Sequence, residues 1–214
     1  YSGSFPAALI NPDKNNFSPR FGIAWKPSAK SKFTFRTGYG WAYNMGVYNQ
    51  LGNRLAQQPP FSSTNSVTTT ADNILNLATG LSAVPAGQTI TNSFAVDRYY
   101  RAAYAQTWNA IIQRELPAGL AMEVGYNGTK GTRLDVQTIP NSSAPGSPLT
   151  AEQRRAIGNA QGFIYDSPVG NSIYHGGTAR LTRRFRNSYS WQLNYTYQKT
   201  IDTTTALGAG LAQH

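Results

Sequence analysis

Tyr189-Ser-Trp-Gln-Leu-Asn-Tyr-Thr-Tyr-Gln-Lys-Thr-Ile201 alternates strictly as far as Gln198. Tyr189, Trp191, Leu193, Tyr195 and Tyr197 fall on one face of an extended strand, and Ser190, Gln192, Asn194, Thr196 and Gln198 fall on the other. Strand side chains point to opposite faces with period two, so this run describes a ribbon with one apolar and one polar side. Two environments suit such a ribbon. One is the half-buried sheet of a soluble sandwich; the other is a membrane wall whose apolar side meets lipid and whose polar side meets water.

The same alternation recurs along the chain. Strands are expected near 17–26, 32–44, 104–116, 120–134, 173–185 and 189–201. The run 17–26 sets Phe17, Phe21, Ile23 and Trp25 against Ser18, Arg20, Gly22 and Ala24, and 32–44 sets Phe33, Phe35, Tyr39, Trp41 and Tyr43 against Thr34, Arg36, Gly38 and Gly40. Consecutive runs are joined in pairs by short links, at Lys26 to Ser31, Pro117-Ala-Gly119 and Arg186-Asn-Ser188, which is a hairpin signal. The pairs are separated by long loops, 45–103 and 135–172, with weak helical signals at Ala71 to Ala78 and at Thr150 to Ile157, where Thr150 and Gln153 form a capping-box pattern. Short turns at one end and long loops at the other characterise outer-membrane barrels. The expected fold is all-β, an antiparallel up-and-down meander of about six strands forming part of a transmembrane β-barrel.

Composition agrees. Of 214 residues 13 are Tyr, 9 Phe, 4 Trp and 20 Gly, while only 13% are charged, which suits aromatic strands joined by turns rather than long amphipathic helices. Cysteine is absent, which excludes disulfides and thiolate metal sites. No apolar run reaches the roughly 18 residues of a membrane helix. The net charge of +10 is scattered, its densest run being Arg183-Arg184-Phe185-Arg186, and no recognition helix accompanies it, so nucleic acid is not an expected partner. The chain opens on Tyr1 without a signal-peptide pattern and reads as a processed product or a segment of a longer protein.

Charge placement separates the two environments. A mid-bilayer Arg or Lys on a lipid-facing surface costs roughly 2–4 kcal/mol. Arg20, Arg36, Glu123, Arg180 and Arg184 all fall on polar faces; the exceptions, Arg114, Arg183 and Lys199, fall near strand ends, where long side chains reach headgroups. Trp25, Trp41, Tyr43, Trp108, Tyr189 and Trp191 are the expected membrane-interface aromatics. Arg20, Arg36, Asn109, Glu123, Arg180, Arg184, Gln192, Asn194 and Gln198 are the candidate lumen-facing, ligand-contacting residues, a basic hydrogen-bonding wall suited to an anionic or glycan-like solute or an acidic protein surface.

Catalysis is not expected, and neither is a cofactor or metal. His175 and His214 are the only histidines, and no nucleophile or metal-ligand spacing accompanies them. Glu115 and Glu123 flank one turn and are placed to meet across the hairpin, but read as lumen or rim charges. His175 reads as an interface residue at the loop end of its strand. Gly125-Tyr-Asn-Gly-Thr-Lys-Gly131 lacks the spacing of a phosphate loop.

Asn16-Phe-Ser-Pro-Arg-Phe-Gly-Ile-Ala-Trp25, Thr107-Trp-Asn-Ala-Ile-Ile-Gln-Arg-Glu-Leu116, Glu123-Val-Gly-Tyr-Asn-Gly-Thr-Lys-Gly-Thr-Arg-Leu134, Asn171-Ser-Ile-Tyr-His175 and Tyr195-Thr-Tyr-Gln-Lys-Thr-Ile-Asp202 together resemble the barrel of TonB-dependent outer-membrane transporters, in particular the Oar-like subgroup with its carboxypeptidase-regulatory-like domain. The resemblance spans all six strands and neither long loop. It implies a 22-stranded barrel, a plug domain and TonB as partners, outer-membrane lipid and lipopolysaccharide as surroundings, and uptake of an unknown solute. Plug and TonB box are not among these residues, so the chain reads as an internal barrel segment. Gly176-Gly177 stands where the resemblance leads one to expect bulkier residues. The alternative is a secreted or surface β-sheet module that binds glycans or forms fibres, its aromatic faces buried against a second sheet or another subunit.

Overall fold

A computed structural model describes residues 10–58, 62, 93–141, 157, 163–186 and 188–203. The wall strands are β1 (Arg20–Trp25), β2 (Phe33–Tyr43), β4 (Tyr104–Leu116), β5 (Leu120–Thr138), β6 (Ile164–Arg186) and β7 (Tyr189–Asp202). They pair antiparallel in the order β1-β2-β4-β5-β6-β7. The long-loop end adds a helix, α1 (Val47–Ala56), and a three-residue strand, β3 (Phe94–Val96), which pairs parallel with Ile164–Asp166 of β6. Among the described residues the sheet is open, with β1 and β7 each paired on one side.

The register converts the alternation into two faces. One continuous row across the sheet is Trp25, Phe35, Ile112, Val124, Ala179 and Tyr195; the next, toward the short turns, is Phe33, Arg114, Met122, Leu181 and Leu193. Toward the loops the rows become Tyr39, Trp108, Gly128, His175, Lys199 and then Trp41, Gln106, Lys130, Ile173, Ile201. Along β5 the distance from Leu120 to Lys130 is about 34 Å at roughly 3.4 Å per residue. At a strand tilt near 45° this projects to about 24 Å, the height of the apolar band of an outer-membrane barrel. No sheet covers this face among the described residues: Tyr195 and Tyr197 are 66% and 68% exposed, where a sandwich would bury them.

The strands differ from the sequence expectation at their loop ends. β5 continues to Thr138 instead of stopping near 134, and β6 starts at Ile164 instead of near 173, so the second loop is shorter than 135–172. β6 carries Pro168 through a register irregularity, where a residue without an N–H leaves no ladder bond unmade. The first loop, 45–103, contains α1 and β3. The helical signal at 71–78 lies outside the described residues, as does that at 150–157 except for Ile157.

Buried apolar side chains are found above the wall rather than in it. Val47 and Leu51 from α1, Phe94 from β3 and Tyr100 form the one buried cluster among the described residues, with Tyr48, Leu55, Val96 and Ile164 packed against it. Val47, Leu51 and Leu55 follow the i, i+4, i+8 spacing of a helix face, and Arg54 stacks 5.3 Å above the Phe94 ring. A small cap thus stands on the extensions of β5 and β6.

Candidate functional site

The polar face of the wall concentrates its side-chain contacts near the short turns. The tight Pro117–Gly119 turn, with Ala118 and Gly119 at positive φ, sets Gln113 opposite Glu123, and the β5–β6 register sets Glu123 opposite Arg180. Gln113 Nε2 donates to Glu123 Oε2 at 2.6 Å, Arg180 Nη1 lies 3.7 Å from Glu123 Oε1, and Arg180 Nε donates to Asn194 Oδ1 at 3.2 Å. Gln192 donates to the same Asn194 oxygen at 3.1 Å. One row lower, Arg184 Nη2 donates to Glu115 Oε1 at 3.3 Å. Gln113, Glu115, Glu123, Arg180 and Arg184 line a concavity of about 390 Å³ with Lys26, Ser31, Lys32, Thr34 and Thr182.

Ion pairs this exposed contribute at most about 1 kcal/mol each to stability. Their effect is instead to hold two guanidinium groups in fixed positions on a wetted wall. Lys26, Lys32, Arg20 and Arg36 have no carboxylate within ion-pair distance among the described residues, so the face remains net positive.

Of the expected ligand-facing residues, Glu123, Arg180, Gln192 and Asn194 form one hydrogen-bonded group, with Arg184 beside it. Arg20 and Asn109 line a separate, shallower concavity of about 310 Å³ nearer the loops, Gln198 accepts a hydrogen bond from Tyr174 at 3.2 Å, and Arg36 lies between Ala24 and Ile111. Glu115 and Glu123 do not form the cross-hairpin carboxylate pair their positions suggested: they pair with Ala121 and Gln113 respectively, and each is held by its own arginine. Gln113 was missed as a site residue, although its place two before Glu115 on the polar face of β4 was readable.

The glycines that interrupt the strands make room for aromatic rings. A Cβ at Gly128 would collide with the Trp108 indole, which crosses that backbone toward β6, and Tyr174 covers Gly176 in the same way on the inner face. Gly177 lies between Tyr126 and Tyr197, which supply the bulk that Gly176-Gly177 lacks. Gly128→Ala is therefore expected to displace Trp108 and destabilise the protein by about 1–3 kcal/mol. A lower urea midpoint with altered tryptophan emission is the expected result; an unchanged midpoint would show that the indole does not need this space.

Of the expected interface aromatics, Trp41 and Tyr43 stack with Tyr104 at the loop border, Trp41 donating to the Tyr39 hydroxyl. Trp25 meets Phe33 edge-on near the turn border, where Tyr189 receives the Arg183 guanidinium 4.4 Å from its ring centre and Trp191 pairs with Arg183. Trp108 borders the band at its loop side, next to His175.

Above the membrane band the cap encloses a polar group that the sequence did not disclose. Asp166 is about 24 Å further along β6 than Ile173, at 3.4 Å per residue. Its side chain is 2% exposed and lies 3.4 Å from Arg54, and the Tyr100 hydroxyl donates to Asp135 at 3.0 Å. Burial first, and then the Asp135 charge, raise Asp166 to about 6. Burial also raises Asp135, and burial with the Asp135 charge raises Tyr100. All three groups therefore hold their protons more tightly in the folded cap than they do when exposed.

A single sheet with an uncovered apolar face of bilayer height, aromatic borders and a polar opposite face is the wall of an outer-membrane β-barrel. The chain belongs to the outer membrane beta barrel domain family, which it matches over residues 1–213, and is accordingly an outer-membrane protein. No curated protein and no solved structure matches it.

Proposed function

We propose that this wall belongs to a TonB-dependent receptor that takes up a solute across the outer membrane. Its polar face lines the solute's path, the loop end contributes to entry, a plug domain and TonB are its partners, and no catalytic step is involved. The observation that carries the reading is the band of Gln113, Glu123, Arg180, Asn194 and Gln192 on the polar face: fixed donors and a net positive wall serve passage of an anionic or glycan-like solute and add little stability. The likeness of the five quoted motifs to this transporter class supports the energised mechanism.

Solute depletion from the medium tests it, comparing cells that carry the full-length protein with and without functional TonB. At least one solute is expected to be taken up only with TonB, and Arg180→Glu, which sets a second carboxylate beside Glu123, is expected to lower that uptake about tenfold or more. Uptake that proceeds equally without TonB would sink the energised reading, and uptake indifferent to Arg180→Glu would remove the wall from the path.

A further inference from the structure

The lipid-facing surface carries a charge pattern that contact with hydrocarbon does not require. Between the Leu120–Arg183 row and the Gln106–Lys130–Ile173 row, that face holds Arg114, Lys130, Arg183 and Lys199 and no carboxylate among the described residues, while both wall glutamates lie on the opposite face. Arg114 and Arg183 sit at the turn border. Lys130 and Lys199 sit at the loop border, on β5 and β7, and His175 lies between them on β6, directly opposite Lys199. Strands are about 4.8 Å apart and successive same-face residues about 6.8 Å apart, which places the two lysine Cα atoms about 12 Å from one another. Two side chains of about 6 Å each are long enough to reach a common ligand beside the imidazole.

The imidazole is oriented by a chain of hydrogen-bonded side chains. An indole N–H only donates. Trp108 Nε1 approaches the Tyr126 hydroxyl at 3.4 Å, and that hydroxyl lies 2.7 Å from His175 Nδ1. Tyr126 accepts from Trp108 and engages Nδ1 of the imidazole, so Nε2 is the ring nitrogen that remains for a ligand. The Tyr126 ring stacks on the imidazole at 18° and Trp108 meets it edge-on, so two aromatic rings hold the imidazole in place. Neither lysine has a carboxylate within ion-pair distance among the described residues.

We propose that Lys130, His175 and Lys199 form a docking site for the phosphomonoester headgroup of a lipid in the leaflet at the loop side of the membrane. The charge fits: a phosphomonoester carries about −1.5 to −2 at neutral pH and three acceptor oxygens, and the site supplies two ammonium groups and the imidazole Nε2. The position fits a lipid rather than a free ion, because the site opens away from the lumen at the edge of the apolar band. Trp108 and Tyr126 are positioning residues that engage Nδ1 and leave Nε2 for the phosphate.

The full chain in detergent micelles is titrated with diphosphoryl lipid A, with the same lipid after phosphatase treatment, and with inorganic phosphate, and bound lipid is read by native mass spectrometry. Removal of the phosphates is expected to weaken binding at least tenfold, and inorganic phosphate is expected not to compete. Lys130→Gln and Lys199→Gln are each expected to weaken the phosphorylated lipid about 5-fold, and about 25-fold together. His175→Gln, which keeps a side-chain donor, is expected to bind more tightly than His175→Phe. Arg114→Gln, at the opposite border, is expected to change nothing. Equal binding of the dephosphorylated lipid, an equal loss from Arg114→Gln, or competition by inorganic phosphate would each overturn the site. None of these readouts depends on solute uptake, so the transporter reading stands or falls separately.

Discussion

Replacing Tyr195 by Arg is expected to destabilise the protein in a bilayer by roughly 2–4 kcal/mol, whereas replacing its neighbour Thr196 by Arg is expected to change stability by less than about 0.5 kcal/mol. The two positions share β7, its edge and its exposure, and differ in the face they serve. Tyr195 lies in the row of Trp25, Phe35, Ile112, Val124 and Ala179, inside the apolar band. Thr196 lies opposite Thr178 on the polar face. An arginine at 195 exchanges aromatic contact with acyl chains for a charge too far from either border to reach water easily; at 196 the same charge joins a wall already lined by Arg36 and Arg180. Urea titration of protein folded into vesicles measures both. Equal effects would show that the two faces see the same solvent, and the membrane assignment would fail.

The wall was legible because each of its determinants is local. Period-two alternation assigns faces, and turns such as Pro117-Ala-Gly119 fix register within a few residues. Once register is fixed, Glu123 must oppose Gln113 rather than Glu115. The cap was not legible for the opposite reason. The segments flanking the second loop, Asp135 to Thr138 and Ile164 to Gly170, contain two aspartates, Pro168 and Gly170 and show no clean alternation, so they read as loop. They are strands because β5 and β6 are long and a register irregularity absorbs the proline. Val47, Leu51 and Leu55 carried a helix signal diluted by Gly46, Gly52 and Asn53.

The inner wall illustrates a further limit. Sequence placed Arg20, Arg36 and Arg180 on one face without distinguishing among them. Only cross-strand pairing joins Arg180 to Glu123 and Asn194 and leaves Arg20 with Asn109 at the other end. The same pairing brings Trp108, Tyr126 and His175 together from three strands.

The cap is expected to loosen as pH rises from about 4 to about 7, and Asp166→Asn is expected to remove the larger part of that dependence. Asp166 is held at about 6 in the folded cap against 3.8 for an ordinary aspartate. A carboxyl whose folded value is raised binds its proton more tightly when folded, so its stabilising contribution is complete below about 3.8 and is lost as pH climbs through about 6. For one buried group the total is up to about 3 kcal/mol. Asp135, raised by burial, acts in the same direction. Arg54 opposes the shift by favouring the ionised form, but it is 38% exposed and its charge is partly screened. The amide of Asn keeps the size and polarity of Asp166 without the ionisation. Amide-exchange protection at α1 and at the loop ends of β5 and β6, corrected for the intrinsic pH dependence of exchange and followed from pH 4.5 to 7.5, is expected to fall in the native protein and to fall much less in Asp166→Asn, while protection in the rows from Trp108 to Leu193 stays constant in both. Loss of protection across the whole wall together would assign the effect to global unfolding, and a pH-independent cap in the native protein would show that Asp166 keeps the affinity of an exposed aspartate despite its burial beneath α1.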